Sequence, residues 1–325
     1  MQNFEYASPS TLQEAFGLLA SSWGETDILA GGTDQISLMK DYLHTPKRVV
    51  NIKSVKELGG IHHTPQGLRI GATATFDELS NSQAIHAEYP SLLSAVNGVA
   101  SPQIRNMGTA GGDLCQRPRC WYFRRGFGLL AMQDGKSLVP NGDNRYHAIF
   151  GGGPAYFVSA SSLGPPLIAL GAKVKLVSSG GPRIVELSRF FVTPQNQASR
   201  EIALLPNEIL AEIIVPPARG IKNATYEVRQ KDALDWPLVT ASVALQISGG
   251  SVSHARVILG HVAPTPWVAT QAEEALNGKP LSNDVIEHAA EAAVADAKPL
   301  SGNDYKVKLA KVAVKRALLE AAGRA

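Results

Sequence analysis

The sequence predicts an α+β protein in which a two-part N-terminal domain precedes a C-terminal antiparallel sheet with helices. Three observations support this class: a strand–helix–strand pattern at the start, a longer mixed stretch, and three strands followed by three helices at the end. The predicted units are a small α/β subdomain over 1–55, a larger α+β subdomain over 56–218 and a C-terminal domain over 219–325.

Short apolar runs define the first unit. Alternation predicts a strand at 4–6, and apolar residues at helical spacing predict a helix over 12–19. The runs 28–30 and 49–52 suit short buried strands, with a short helix over 36–40 between them. This order is typical of a small α/β subdomain.

The second unit alternates helices and strands around one long loop. Strands are predicted at 68–72 and 173–177, and helices at 76–79, 89–96 and 167–170. Residues 113–156 are irregular and rich in Gly and Arg. Loops of that length in a compact domain are usually functional, so a role in binding is expected here.

A composition break at 216–220, Pro-Pro-Ala-Arg-Gly, marks the start of the third unit. Strands are predicted at 224–228, 239–247 and 255–259, with Gly249-Gly250 as the hairpin turn between the last two. Helices over 268–277, 283–297 and 303–322 follow. The prediction is a three-stranded sheet covered by helices.

Composition excludes several classes of function. The chain has 325 residues, of which 44% are hydrophobic. Its net charge is only +3 and its Lys and Arg residues are scattered along the sequence, so a nucleic-acid surface is not expected. No apolar run reaches the roughly 18 residues of a membrane span. The N-terminus has no signal-peptide pattern, and the two cysteines, Cys115 and Cys120, suit free thiols. These features predict a cytoplasmic protein.

Two glycine runs are the strongest candidate binding elements. Glycine tolerates positive φ and has no side chain, so consecutive N–H groups can converge on a phosphate oxygen. Each pair alone is more often a simple turn, and neither run matches a Rossmann or P-loop pattern. Two such runs together suggest a dinucleotide with a diphosphate bridge. The runs are Leu29-Ala30-Gly31-Gly32-Thr33-Asp34 and Gly108-Thr109-Ala110-Gly111-Gly112-Asp113.

Three motifs resemble one family from end to end. The segment 30–34 with 38–40 and 50–52 resembles the first FAD motif of the medium subunits of molybdenum hydroxylases, the class of xanthine dehydrogenase, aldehyde oxidoreductase and aerobic carbon monoxide dehydrogenase. The segment 101–113 resembles their second FAD motif, with Asp113 where Asn is usual. The segment 259–267, Leu-Gly-His-Val-Ala-Pro-Thr-Pro-Trp, resembles their C-terminal signature.

The resemblance implies an FAD-binding electron-transfer subunit and assigns no catalytic residue. Partners would be a large molybdopterin subunit and a small [2Fe–2S] subunit, with electrons passing through FAD to a terminal acceptor. Lys231 would lie near the isoalloxazine, where a cation can stabilise negative charge. The implied cofactor-binding residues are Leu29, Ala30, Gly31, Gly32, Thr33, Asp34, Gly108, Thr109, Ala110, Gly111, Gly112, Asp113, Ser162 and Lys231.

The chain departs from its most similar branch, the periplasmic aldehyde oxidoreductase flavin subunits. That branch carries a [4Fe–4S] cluster in this loop, but here Leu129, Ser137 and Ala155 stand at cysteine positions. Two cysteines cannot supply four thiolates, so no cluster and no metal site are expected. The branch also has His-Pro-Ser-Asp where this chain reads Ser-Ala-Ser-Ser over 159–162.

These departures leave two alternatives open. The alternatives to an electron-transfer subunit are an autonomous flavin-dependent oxidoreductase acting on a small organic molecule and a scaffold subunit whose cofactor site has degenerated. Export to the periplasm with a partner is the alternative to a cytoplasmic location. The sequence identifies neither the substrate nor the terminal acceptor.

Overall fold

The computed structural model describes residues 1–99, 101–231 and 235–324 and confirms the mixed α+β architecture. The N-terminal unit is a three-stranded parallel sheet in which β3 lies between β1 and β2. Because the strands are parallel, their carboxyl ends share one edge, and the first glycine run follows β2 at that edge. The elements are β1 (Glu5–Ala7), α1 (Leu12–Leu18), β2 (Thr26–Leu29), α2 (Gln35–Lys40) and β3 (Arg48–Asn51).

The second unit begins with a hairpin and continues into short helices that lead to the second glycine run. Thr109 is the N-cap of the last of these helices, and its hydroxyl accepts a hydrogen bond from Gly112 N–H. The elements are β4 (Ile61–Thr64), β5 (Gly67–Gly71), α3 (Phe76–Ser80), α4 (Gln83–Glu88), α5 (Pro90–Asn97), α6 (Pro102–Met107) and α7 (Ala110–Cys115).

The long loop over 113–156 contains a little regular structure, contrary to the fully irregular loop that was expected. It holds the short helix α8 (Trp121–Arg124) and a hairpin of β6 (Met132–Gln133) with β7 (Lys136–Ser137). Asp134 and Gly135 make the turn with positive φ values of 49° and 74°. Such two-residue pieces are too short to give a periodic sequence pattern.

The second unit closes a five-stranded antiparallel sheet in the order β4-β5-β10-β8-β9. The remaining elements are α9 (Gly164–Ala169), β8 (Lys173–Ser178), β9 (Gly181–Glu186), α10 (Leu187–Phe190) and β10 (Ile209–Val215). The sequence prediction lacked β9 and β10. β10 is apolar at nearly every position and β9 is an exposed edge strand, so neither shows the alternation of a half-buried strand.

The C-terminal unit is an antiparallel sheet with three helices against it. It has four strands within the described residues rather than three, because Trp267–Val268 pairs with Ile258 and Leu259. Two residues that directly follow a proline carry no strand pattern. The Gly249-Gly250 turn is confirmed, with φ values of 58° and 79°. The elements are β11 (Ile221–Val228), β12 (Val239–Ser248), β13 (Ser251–Gly260), β14 (Trp267–Val268), α11 (Thr270–Leu276), α12 (Asn283–Ala292) and α13 (Tyr305–Ala321).

Buried apolar clusters stabilise the three units, and the cluster of the first unit continues into β8 and β10 of the second. In the second, side chains such as Leu68, Leu92 and Val174 pack the helices onto the five-stranded sheet. In the third, Ala310, Val314 and related residues of α13 lie against the sheet. Across the described ranges, no helix combines the length and apolar character that a bilayer crossing requires.

Candidate functional site

The two glycine runs meet back to back, although 70 residues and more separate them in sequence. A Cβ atom built on Gly31 would lie 2.0 Å from the carbonyl oxygen of Met107 and 3.0 Å from Cα of Gly108. No side chain fits into that space, so glycine at position 31 is what allows the loops to touch. The structure therefore brings the two runs into contact.

The first run presents a series of free N–H groups. Among the residues that the structure describes, the N–H groups of Gly31, Gly32, Thr33 and Asp34 have no hydrogen-bond acceptor. Gly32 has a φ of +72°, a conformation that lets successive N–H groups turn toward one point. Such a concave set of donors suits a phosphate anion.

The second run differs from the expectation, because most of its N–H groups already have acceptors within the protein. Ala110 N–H donates to the Ala74 carbonyl at 2.8 Å, and Gly111 N–H donates to the Ala72 carbonyl at 2.9 Å. Gly112 N–H donates to Thr109 Oγ1 at 3.2 Å. Ala72 and Ala74 lie on the segment that follows β5, whereas Thr109 belongs to the second run itself. The second run thus contributes a glycine surface and the Thr109 hydroxyl.

The Asp113 carboxylate supports a neighbouring turn. Its buried carboxylate accepts from Ser161 Oγ at 2.5 Å, Leu163 N–H at 2.9 Å and Ser162 N–H at 3.2 Å. Burial raises the pKa of Asp113 above its ordinary value. The Ser-Ala-Ser-Ser segment is therefore fastened to the second glycine run through this side chain, which holds Ser162 at the cleft wall.

The Asp34 carboxylate also bonds other residues of the protein. Its carboxylate accepts from Arg117 N–H at 2.9 Å and from Arg124 Nη2 at 2.8 Å, and it pairs with Arg119 Nη1 at 3.1 Å. The side chain ties the first glycine run to the long loop. It therefore positions the run, and a direct contact with a negatively charged diphosphate would be repulsive.

Sequence reasoning missed a group of arginines beside the runs. Arg117 bonds His44 Nε2 at 2.9 Å and forms a buried ion pair with Glu201. Arg200 lies 4.1 Å from the centre of the Trp23 ring. The signal available in the sequence was Arg117, Arg119 and Arg124 directly behind the second run.

One cleft joins these elements. Both glycine runs, Ser162 and the arginines Arg117, Arg119 and Arg200 line it, and the segment 235–237 forms its C-terminal wall. Arg119 stacks over Trp236 at 4.3 Å across this wall. Lys231 is exposed and lies in a neighbouring depression with Glu227 and Arg229, and Leu29 and Ala110 lie behind the lining. The structure does not bring these last three predicted residues into the cleft.

Apolar packing stabilises the long loop. Leu129 and Ala155 belong to one buried cluster with Phe123 and Phe157, and Cys120 packs against it. Cys120 Sγ lies 3.1 Å from His147 Nε2, and burial raises the pKa of the Cys120 thiol. The described ranges contain no group of three or more His, Cys, Asp or Glu side chains arranged for a metal.

Comparisons with known proteins agree with this geometry. The family model described as the FAD binding domain in molybdopterin dehydrogenase matches residues 2–218. The model described as the CO dehydrogenase flavoprotein C-terminal domain matches residues 224–321.

Curated relatives match along the whole chain. The carbon monoxide dehydrogenase medium chain of Hydrogenophaga pseudoflava is 30% identical over 319 residues, covering 97% of this chain and 96% of the relative. The aldehyde oxidoreductase FAD-binding subunit PaoB of Escherichia coli (strain K12) is 30% identical over 339 residues, covering 100% of both.

Solved structures have the same fold. A chain of the carbon monoxide dehydrogenase from Hydrogenophaga pseudoflava superposes with a TM-score of 0.78 at 30% identity, covering 99% of this chain and 98% of the other. A chain of quinoline 2-oxidoreductase from Pseudomonas putida 86 superposes with a TM-score of 0.77 at 25% identity, covering 99% and 98%. The chain therefore belongs to the family of FAD-binding medium subunits of the molybdenum hydroxylases, whose members are subunits of dehydrogenases and oxidoreductases.

Proposed function

We propose that this chain binds FAD in the cleft at the two glycine runs and acts as the electron-transfer subunit of a molybdenum hydroxylase-type oxidoreductase. One observation carries the proposal. The four consecutive N–H groups of 31–34 have no acceptor in the described protein, and they lie where the second glycine run leaves the cleft wall free of side chains. A diphosphate supplies the missing acceptors.

The residues present fit a flavin dinucleotide. The N–H groups of Gly31 to Asp34 would hold the diphosphate, and the hydroxyls of Thr33 and Thr109 would add donors. Gly111 and Gly112 would let the ligand approach the backbone closely. Asp34 and Asp113 would act indirectly, because each fastens a loop that forms the site. Lys231 has no role in this proposal, since it is exposed outside the cleft.

The proposed partners are a small [2Fe–2S] subunit and a large molybdopterin subunit. Bound FAD would link two-electron and one-electron transfer between those clusters and a terminal acceptor. The relatives' designations as medium chain and FAD-binding subunit support a place in a heteromeric complex.

The proposed domain boundaries lie near residues 55 and 218. The proposed compartment is the cytoplasm, in keeping with two free thiols, and export with a partner is the alternative.

Flavin content and flavin reduction test the proposal in two steps. The purified chain is expected to bind FAD at micromolar concentration or below, measured by titration of the apoprotein. Its visible flavin band is then expected to bleach on addition of a reduced [2Fe–2S] subunit. Bleaching by a small organic substrate with the chain alone would favour an autonomous enzyme. A chain that binds no FAD would be a scaffold, and the proposal would fail.

A further inference from the structure

Arg200 is a cation at the cleft that lacks a matching partner. Its side chain is 19% exposed and lines the same cleft as the glycine runs. Its guanidinium lies 4.1 Å from the centre of the Trp23 ring. Nε is buried and has no hydrogen-bond partner among the described residues. Arg200 is thus packed against the indole ring of Trp23, and it donates no hydrogen bond within the part of the chain that the structure describes.

The neighbouring acidic groups are engaged by other side chains. The contact from Arg200 Nε to Glu201 Oε2 is 3.8 Å long, too long for a hydrogen bond, whereas Arg117 forms a close ion pair with Glu201. Asp27 accepts from Gln35 at 2.5 Å and contacts His44 at 3.2 Å. Burial, followed by repulsion from Arg117, lowers the pKa of Arg200 to about 10. A further anion at this point would compensate the buried charge.

We propose that Arg200, oriented by Trp23, binds a phosphate oxygen of the adenosine diphosphate half of FAD. This inference rests on the proposed function and adds a recognition residue to the same cleft. The choice of half follows from charge. The oxidised isoalloxazine is neutral, whereas the diphosphate carries the negative charge that an unpaired guanidinium attracts. Arg200 therefore makes the cleft select for the nucleotide portion of the cofactor.

The test compares three ligands on the apoprotein of the full chain. FAD, ADP and riboflavin are titrated against the unchanged protein, Arg200→Gln, Arg200→Lys and the control Arg189→Gln. Arg189 is an exposed arginine of α10 that carries the same change away from the cleft. Dissociation constants are measured by calorimetry at low and high NaCl.

Loss of a charge-assisted hydrogen bond is expected to weaken FAD and ADP binding by about ten- to a hundredfold in Arg200→Gln. The riboflavin affinity of Arg200→Gln is expected to equal that of the unchanged protein. The FAD and ADP affinities of Arg200→Lys are expected to lie between those of the unchanged protein and Arg200→Gln. Arg189→Gln is expected to bind all three ligands as the unchanged protein does. Salt is expected to weaken ADP binding to the unchanged protein more than to Arg200→Gln.

Two results would overturn the inference while leaving FAD binding intact. One is an unchanged ADP affinity in Arg200→Gln, and the other is an equal loss of riboflavin and ADP. If Arg200→Gln fails to fold, the salt dependence of the unchanged protein is a separate test. An ADP dissociation constant that is the same at low and high NaCl would overturn the inference. Failure of the unchanged protein to bind FAD at all would remove the proposed function as well.

Discussion

The substitution Gly31→Ala addresses the contact between the two glycine runs. The added Cβ would lie 2.0 Å from the Met107 carbonyl oxygen and 2.8 Å from its carbon. Non-bonded heavy atoms approach to about 3.5 Å, so the two loops must move apart by about 1 Å or more. The displaced atoms are backbone on both sides, and no side-chain rotation relieves the overlap.

The expected loss follows from hydrogen-bond geometry. A shift of about 1 Å carries an N–H···O bond beyond its usual length of about 2.7–3.2 Å. Loss of two bonds to a charged diphosphate, at about 1.5 kcal/mol each, gives about 3 kcal/mol, or about a hundredfold in FAD affinity. Overpacking is expected to lower the free energy of unfolding by about 1–3 kcal/mol as well.

FAD titration by flavin fluorescence and urea unfolding measure these two effects. Gly17→Ala is the matched control, because a Cβ at Gly17 in α1 meets nothing within 4 Å. That control is expected to bind FAD normally and to gain about 0.5–1 kcal/mol of stability from better helix formation. Normal FAD affinity in Gly31→Ala would refute the proposed role of the loop contact.

Three further predictions concern the surroundings of the site. Asp34→Asn removes the carboxylate that pairs with Arg119 and Arg124. The free energy of unfolding in urea is therefore expected to fall by about 2 kcal/mol. An unchanged free energy of unfolding would contradict the anchoring role of Asp34. Leu129→Ala opens a cavity in the apolar cluster of the long loop and is expected to cost about 2–3 kcal/mol without altering FAD affinity. Burial lowers the pKa of His147 from 6.5 to about 4, so the unfolded chain binds this proton first as pH falls. The stabilising contribution of neutral His147 is complete above pH 6.5 and is lost between pH 6.5 and 4, by about 2 kcal/mol at pH 5. In His147→Asn, the free energy of unfolding in urea is therefore expected to fall less between pH 7 and pH 5 than in the unchanged protein.

The order of secondary structure followed from sequence wherever the pattern was local and long enough. The Gly249-Gly250 turn is an example, because positive φ at two successive positions strongly favours glycine. Strand β10 is the opposite case. Both of its faces are buried by partners far away in sequence, so its residues show no alternation that a local reading detects.

By itself the sequence determined the family and the location of the cofactor loops, because three motifs in order and two glycine runs are properties of the chain alone. Only the tertiary structure decided how each run is used. The carbonyls of Ala72 and Ala74 accept hydrogen bonds from two N–H groups of the second run, whereas the N–H groups of 31–34 have no acceptor among the described residues. Asp34 and Asp113 bond within the protein, because loops distant in sequence supply hydrogen-bond donors to their carboxylates. Arg200 follows the long loop in sequence and lines the cleft. Hydrogen bonds and ion pairs of this kind join residues separated by tens of positions, and the folded backbone alone sets their distances.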